Sequence, residues 1–462
     1  MNTLFVNVHR ILLLAVLGLG VPARSETNPA VADQGVARIV ARTTHPSGVY
    51  KVDEQITLQI KVFDSVLDPV DQVEYSVKLH DARVIAAGKL AITNHAGVIQ
   101  TSLPEPGSLL FTLAGTTAKG EKVIAYAGAV AAAKKIQWPL RVPDDFDAFW
   151  DEKVAESKKL PLNPKVEAVA IPNEPAIEYD KVTLDNIHGS HVYGQLARPK
   201  RPGKYPAILL VQYAGVYPLK RESVTGYARD GWLALNISAH DVPFDLPEKE
   251  FAKLADTTLK DYTAIGETNR ETSYFLRMFL GCQRAAEYLT TRDDWNGRIL
   301  VVRGKSQGGL QSIVTAALNP KVSALMALMP AGCGNTAKQI GRGWGWPYWQ
   351  AHAVGPEAAR IMETSRYFDA INFAHRVRCP ALLGPGLMET TCPASNVLAL
   401  GNLLGGPVEV VVLPEAGHQA PQGDVHGEIP FSSRATVWLK DLQAGRAFSA
   451  IIKNHADWTT EF

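Results

Sequence analysis

The chain has 462 residues, 46% of them hydrophobic and 20% charged, with a formal net charge of +1. That length admits two or three domains, and the ordinary composition excludes a disordered chain or a membrane bundle. A charge so near zero supplies no broad field for nucleic acid or an anionic membrane, so neither is expected as a partner.

At the N-terminus Arg10 precedes the apolar run from Ile11 to Val21, and small residues follow through Ser25. A basic, apolar, small-residue series is the pattern of a secretory signal peptide. Residues 1–25 are therefore expected to be removed and the mature protein to be secreted or periplasmic. The apolar core is too short for a membrane span. No cysteine precedes Cys282, so no lipid anchor on an N-terminal cysteine is expected.

Residues 27–135 carry short alternating or apolar runs at 36–42, 55–62, 72–79, 98–101, 109–113 and 122–127, separated by turn residues. That spacing predicts an immunoglobulin-like β-sandwich. It has no cluster of catalytic residue types and no aromatic platform, which favours packing or shaping an active-site rim over independent polysaccharide binding. Residues 136–145, with Pro139 and Pro143, read as the linker.

From residue 146 onward, apolar runs alternate with helical periodicity, which predicts a mostly parallel, doubly wound α/β sheet. Residues 206–211 read as an early strand, with Gln212-Tyr213-Ala214-Gly215 as its loop, and 270–290 as a helix. The run Ile299-Leu300-Val301-Val302 then leads into Gly304-Lys305-Ser306-Gln307-Gly308. This is the G-x-S-x-G nucleophile elbow in its strand–turn–helix context. Leu310, Ile313, Val314 and Ala317 continue at helical spacing. A tight turn with a serine near a helix start would be the bland alternative. The strand in front and the amphipathic helix behind favour Ser306 as a nucleophile.

Its partners should follow in the order acid, then histidine, each on a loop after a later strand. Residues 379–384 read as a buried strand, and Glu389 is the only carboxylate in the loop 385–393. It is the candidate acid, placed to orient an imidazole and stabilise its cation. Residues 408–413 read as the next strand, and Pro414-Glu415-Ala416-Gly417-His418 leaves it. His418 is the candidate general base; His426, further along the loop, is the rival and lies farther from the strand end. Two N–H donors must hold the oxyanion. The backbone N–H groups of Gln307, next to the nucleophile, and Tyr213, after the early strand, are the candidates. No metal or cofactor is needed. The four cysteines, Cys282, Cys333, Cys379 and Cys392, lack zinc spacing. They could form two disulfides in any of three pairings or stay as buried thiols.

Several separate motifs carry a resemblance. They are Pro-Asp-Asp-Phe-Asp-Ala-Phe-Trp at 143–150, Ala155-Glu156-Ser157, Pro161-Leu162 and the Gly-x-Ser-Gln-Gly-Gly elbow at 304–309. Arg366-Tyr367-Phe368-Asp369, Asn372-Phe373-Ala374, the acid loop 386–393 and Gly417-His418 complete them. Spread over about residues 140–445, they resemble the acetyl xylan esterase/cephalosporin-C deacetylase family. The resemblance implies an α/β-hydrolase fold over 146–462 and removal of acetyl groups from sugar hydroxyls, with acetylated carbohydrate as substrate. By position it assigns the triad to Ser306, Glu389 and His418, and the oxyanion donors to Tyr213 and Gln307.

The chain also departs from the family. Glu389 stands where aspartate is usual, and Val211-Gln212-Tyr213 replaces His-Gly-Tyr. Asn236-Ile237-Ser238-Ala239-His240 stands in place of Arg-Gly-Gln, and Gln419 follows the histidine where glutamate is usual. Ester hydrolysis survives these changes; strict acetyl specificity and the family's ring-shaped oligomer do not follow from them, and the oligomeric state stays open. An aromatic cap insertion is expected near 334–365, with Gly-Arg-Gly-Trp-Gly-Trp-Pro-Tyr-Trp-Gln at 341–350. One of Trp344, Trp346 and Trp349 is expected to stack on a sugar ring; the alternative is a small core under the cap. Two other functions fit the chain: cleavage of another ester or a peptide by the same fold, and a carbohydrate-binding scaffold without activity.

Overall fold

The computed structural model describes residues 38–63, 72–117, 120–418 and 426–452. The expected signal peptide and Gln419 lie outside the described residues.

Among the described residues, the first part of the chain up to Ala131 is all β. Its strands are β1 (Arg38–Thr43), β2 (Val49–Tyr50), β3 (Ile56–Phe63), β4 (Gln72–Leu79), β5 (Arg83–Ala91), β6 (Ala96–Thr101), β7 (Gly107–Thr116) and β8 (Lys122–Ala131). One sheet runs β1-β3-β6 and the other β2-β8-β7-β4-β5. Along β3, Ile56, Leu58, Ile60 and Val62 turn inward at every second position. They share one core with Val73 and Val77 of β4 and Leu109, Phe111 and Leu113 of β7. Strand β5 had no sequence signal, because it lies at the sheet edge and none of its residues is fully buried. The expected linker is packed rather than loose. Ile136 and Trp138 are buried, and the Asn402 side-chain amide donates to the carbonyls of Ala133 and Ile136 at 3.0 and 2.9 Å.

The second part is a mixed sheet covered on both faces. It comprises β9 (Lys165–Ala168), β10 (Ile177–Asp185), β11 (His191–Pro199), β12 (Tyr205–Val211), β13 (Leu233–Ile237), β14 (Trp295–Lys305), β15 (Ala324–Leu328), β16 (Ala381–Gly384) and β17 (Val408–Val410). Their order is β17-β16-β15-β14-β12-β13-β11-β10-β9. Pairing is parallel from β13 through β12 to β17 and antiparallel among β9, β10, β11 and β13. The centre strands read as continuous apolar runs because both faces are buried. In β14, Leu300 and Val302 enter a core with the helices Tyr274–Thr291 and Gln307–Leu318. Val301 enters the opposite core with the helices Glu222–Arg229 and Ile429–Gln443. The loops after β12, β13, β14, β16 and β17 leave from the carboxyl ends of parallel strands, the edge where such sheets place their chemistry.

Candidate active site

The turn after β14 is built from backbone that cannot accept larger residues. Ser306 sits at φ +58 and ψ −122, a conformation costly for a residue with a side chain. Backbone bonds hold it there: its N–H donates to Leu328 O at 3.0 Å, and its carbonyl accepts from Leu310 and Ala331 at 3.1 and 3.0 Å. A Cβ on Gly304 would lie 2.4 Å from the Gly308 carbonyl, and one on Gly308 would lie 2.6 Å from Val211 O. The glycines flanking the serine are therefore fixed by close backbone approach, as the elbow pattern predicts.

Two further loops meet over this turn. The N–H of Leu387 donates to Leu413 O at 2.9 Å, and that of Met388 to Ala416 O at 3.0 Å. A Cβ on Gly386 would lie 2.5 Å from Ala416 O, and one on Gly417 would lie 2.5 Å from Met388 O. The acid loop and the histidine loop are thus zipped together by their backbones, and the residue after each contact is Glu389 or His418. The ring Nδ1 of His418 lies 2.9 Å from both Glu389 carboxylate oxygens, and Nε2 lies 2.7 Å from Ser306 Oγ. A carboxylate only accepts, so Nδ1 carries the proton and Nε2 is free to take the one on Ser306. The Cys392 N–H donates to Glu389 Oε2 at 3.0 Å, which fixes the buried carboxylate from behind. The extra methylene of glutamate is accommodated by this loop path. His426 is exposed in the turn His426–Glu428, while the imidazole on Ser306 belongs to His418.

The candidate oxyanion donors frame the serine. Gln307 opens the helix Gln307–Leu318, so its N–H has no acceptor within the helix. Across the turn, the Gln212 carbonyl accepts from Gln311 Nε2 at 2.7 Å. In a trans peptide this directs the Tyr213 N–H to the opposite side. The Tyr213 ring is exposed and stacks on Tyr217 with centroids 4.6 Å apart.

Two residues beneath this loop gave no clear signal in the sequence. The Tyr262 hydroxyl donates to Gln307 Oε1 at 2.5 Å and accepts from the Gly215 N–H at 3.4 Å. His240 is fully buried, with Nε2 2.9 Å from Gly215 O and Nδ1 2.6 Å from the Tyr274 hydroxyl. The carbonyl can only accept, so Nε2 carries the proton and Nδ1 accepts from Tyr274. Burial pushes this imidazole down to about 4, so it stays neutral near pH 7. Tyr262 ties the 213–217 loop to the elbow, and His240 ties it to the helix Tyr274–Thr291. His240 stands just past a strand end and Tyr262 in a turn-rich segment, neither within a motif.

The three insertion tryptophans have different fates. Trp344 is exposed, with Lys338 Nζ 5.8 Å from its ring. Trp346 is partly buried and packs with Tyr262, Tyr274 and Leu259. Its N–H donates to Thr391 O in the acid loop at 2.9 Å. The expectation fails for Trp349, which is 2% exposed and lies parallel to Phe368 at 6.3 Å, beside Phe275. It is core, and no bound sugar can reach its face. All four cysteines are free thiols, so neither of the two possible disulfides forms. Among the described residues no helix is long and apolar enough to cross a membrane.

A family model described as acetyl xylan esterase (AXE1) matches residues 134–429. The chain is 28% identical over 415 residues to the acetyl esterase Axe7A of Xylanibacter ruminicola, spanning 88% of this chain and 92% of that one. Its fold is similar to that of an acetyl xylan esterase from Paenibacillus sp. R4, at a TM-score of 0.54, 23% identity and coverage of 67% and 98% of the two chains. It is similar as well to acetyl xylan esterase 1 from Thermoanaerobacterium sp. JW/SL YS485, at 0.52, 18% identity and coverage of 65% and 97%.

Proposed function

The chain belongs to the acetyl xylan esterase family and is a carboxylic ester hydrolase, and on that premise we propose that it removes acetyl groups from xylan or xylo-oligosaccharides through Ser306, His418 and Glu389. Ser306 Oγ attacks the acetyl carbonyl carbon while His418 Nε2 takes its proton. The N–H groups of Gln307 and Tyr213 hold the developing oxyanion. His418 then returns the proton to the sugar oxygen, which leaves as the alcohol, and Glu389 stabilises the imidazolium between the two transfers. Water attacks the acetyl-enzyme by the same route, releasing acetate and restoring the serine. Trp344 or Trp346 stacks on the sugar. We read residues 1–25 as a signal peptide that sends the enzyme out of the cytoplasm, 27–135 as an immunoglobulin-like rim domain and 146–462 as the catalytic domain.

The observation that carries this reading is the continuous contact from Ser306 through His418 to Glu389, at 2.7 and 2.9 Å, in an esterase of this family. It is tested by acetate release from acetylated xylan and xylo-oligosaccharides, with wild type beside Ser306→Ala. Release that falls about 10⁴-fold or more in the variant supports nucleophile and substrate together. Serine-dependent turnover of a simple acetyl ester with no release from xylan keeps the chemistry and discards the substrate. Undiminished release by the variant would refute the mechanism.

A further inference from the structure

Where the N-terminal β unit meets the segment 134–138, Arg342 and the helix Ala394–Leu403 there is an open cleft of about 870 Å³, with His80, Lys134, Lys135, Trp138 and Arg342 among its lining residues. Its volume is in the range of natural ligand sites. Arg342 is half-buried and lies over the Trp138 ring, with the guanidinium carbon 5.8 Å from the centroid. Its Nη1 is buried without a hydrogen-bond partner, as is His80 Nδ1 beside it. No carboxylate among the described residues lies within ion-pair distance of Arg342; the one acid on the wall, Glu105, pairs with Arg83 at 3.7 Å. A guanidinium nitrogen without an acceptor is costly, and the wall carries Arg342, Lys134 and Lys135 against the single acid Glu105; this excess of positive charge points to an anionic occupant. Burial and the Arg342 charge hold His80 down to about 4, so it offers a neutral imidazole.

The cavity adjoins the catalytic machinery through one strip of chain. Gly343, next to Arg342, donates its N–H to His80 O at 2.8 Å, and Trp346 donates to Thr391 O in the acid loop. We propose that this cleft between the two units binds a carboxylated sugar, a uronate carried on the polysaccharide whose acetyl groups the enzyme removes. Arg342, Lys134 and Lys135 supply the charge and Trp138 the apolar floor. A planar guanidinium pairs with a carboxylate through two parallel N–H donors. The β unit thereby becomes half of a substrate subsite, remote from Ser306. The choice of a polysaccharide uronate rests on the proposed function above.

The test measures binding with deacetylated polysaccharides, so that catalysis plays no part. Affinity electrophoresis and calorimetry compare glucuronoxylan with uronate-free arabinoxylan at 50 and 300 mM salt. Wild type should bind the glucuronoxylan about tenfold more tightly at low salt, and the preference should shrink at high salt. Arg342→Gln and, separately, Lys135→Gln at an exposed site should reduce the preference without changing turnover of 4-nitrophenyl acetate. Equal binding of the two polymers by wild type overturns the proposal, whatever the variants do. So does a preference that survives both substitutions, or inhibition by free acetate or phosphate equal to that by glucuronate. Turnover of neutral acetylated xylan is measured alongside; its loss would count against the esterase substrate while leaving the binding result standing.

Discussion

The carbonyl oxygen of Leu387 sits so close to Gly128 that a Cβ built on the glycine would lie 2.0 Å from it. Gly128 belongs to β8 of the N-terminal unit, and Leu387 lies two residues before Glu389. Arg42 of the same unit pairs with Glu415 in the histidine loop at 2.9 Å. The N-terminal strands therefore support both loops that carry Glu389 and His418.

Gly128→Val should displace the acid loop. Because the blocking atom is backbone, the loop must shift, with a stability loss of about 1–3 kcal/mol. Activity on 4-nitrophenyl acetate should fall by about 10²-fold, since a misplacement near 1 Å is enough for that. Gly226→Ala, in a helix with open space around the glycine, serves as the control and should leave activity unchanged. Parallel thermal melts and initial rates decide it; a Gly128→Val enzyme with full kcat would show that the contact does not position the triad.

Glu389 should tolerate neither change of charge nor change of length. Glu389→Gln turns an acceptor-only group into one that can present N–H to Nδ1 and favour the wrong tautomer; a drop in kcat of about 10⁴-fold is expected. Glu389→Asp keeps the charge but withdraws it by one methylene, and about 10²-fold is expected. Steady-state rates on a soluble acetyl ester, with KM little altered, would separate these effects from lost binding.

Tyr262→Phe removes the hydroxyl that bonds Gln307 Oε1 while keeping the ring against His240, whose centroid is 4.9 Å away. The buried amide is left short of a donor, which costs about 1–3 kcal/mol. Its backbone N–H, an oxyanion candidate, then loses part of its support. We expect kcat lowered about tenfold with KM unchanged. Unchanged kcat would assign Tyr262 to packing alone.

His240 gives the fold an acid-side weakness. Its ordinary value near 6.5 is lowered to about 4 in the folded protein by burial. Between those values the unfolded chain binds the proton and the folded chain does not, so stability present above 6.5 is lost as pH falls toward 4. Urea unfolding at stepped pH should show this loss, and His240→Gln should flatten it. An equal slope in the variant would place the acid sensitivity elsewhere.

Ser306, Glu389 and His418 were legible because each follows a strand with a strong apolar pattern, and the order of strands brings those ends together. The elbow glycines were legible for the same local reason. The support under the 213–217 loop was not. Tyr262 acquires its role only when a turn-rich segment folds under Gly215 and Gln307, contacts 45 or more residues apart in sequence. Composition likewise could not say which way the insertion tryptophans face. Trp349 joins Phe275 and Phe368, residues from segments whose packing no local pattern reveals. Strand β5 escaped because an edge strand with little burial lacks the alternation that marks the others.

The four free thiols have a practical consequence. Burial pushes Cys282 and Cys379 up to about 12 and holds Cys333 and Cys392 well above the usual thiol range, so almost none is ionised at neutral pH. A chain built this way needs no oxidant to reach its folded form. It can be produced in a reducing cytoplasm, and its melting temperature should not move when dithiothreitol is added. Iodoacetamide should add at most one carbamidomethyl group to the native chain, at the half-buried Cys379, and reach all four thiols only after denaturation.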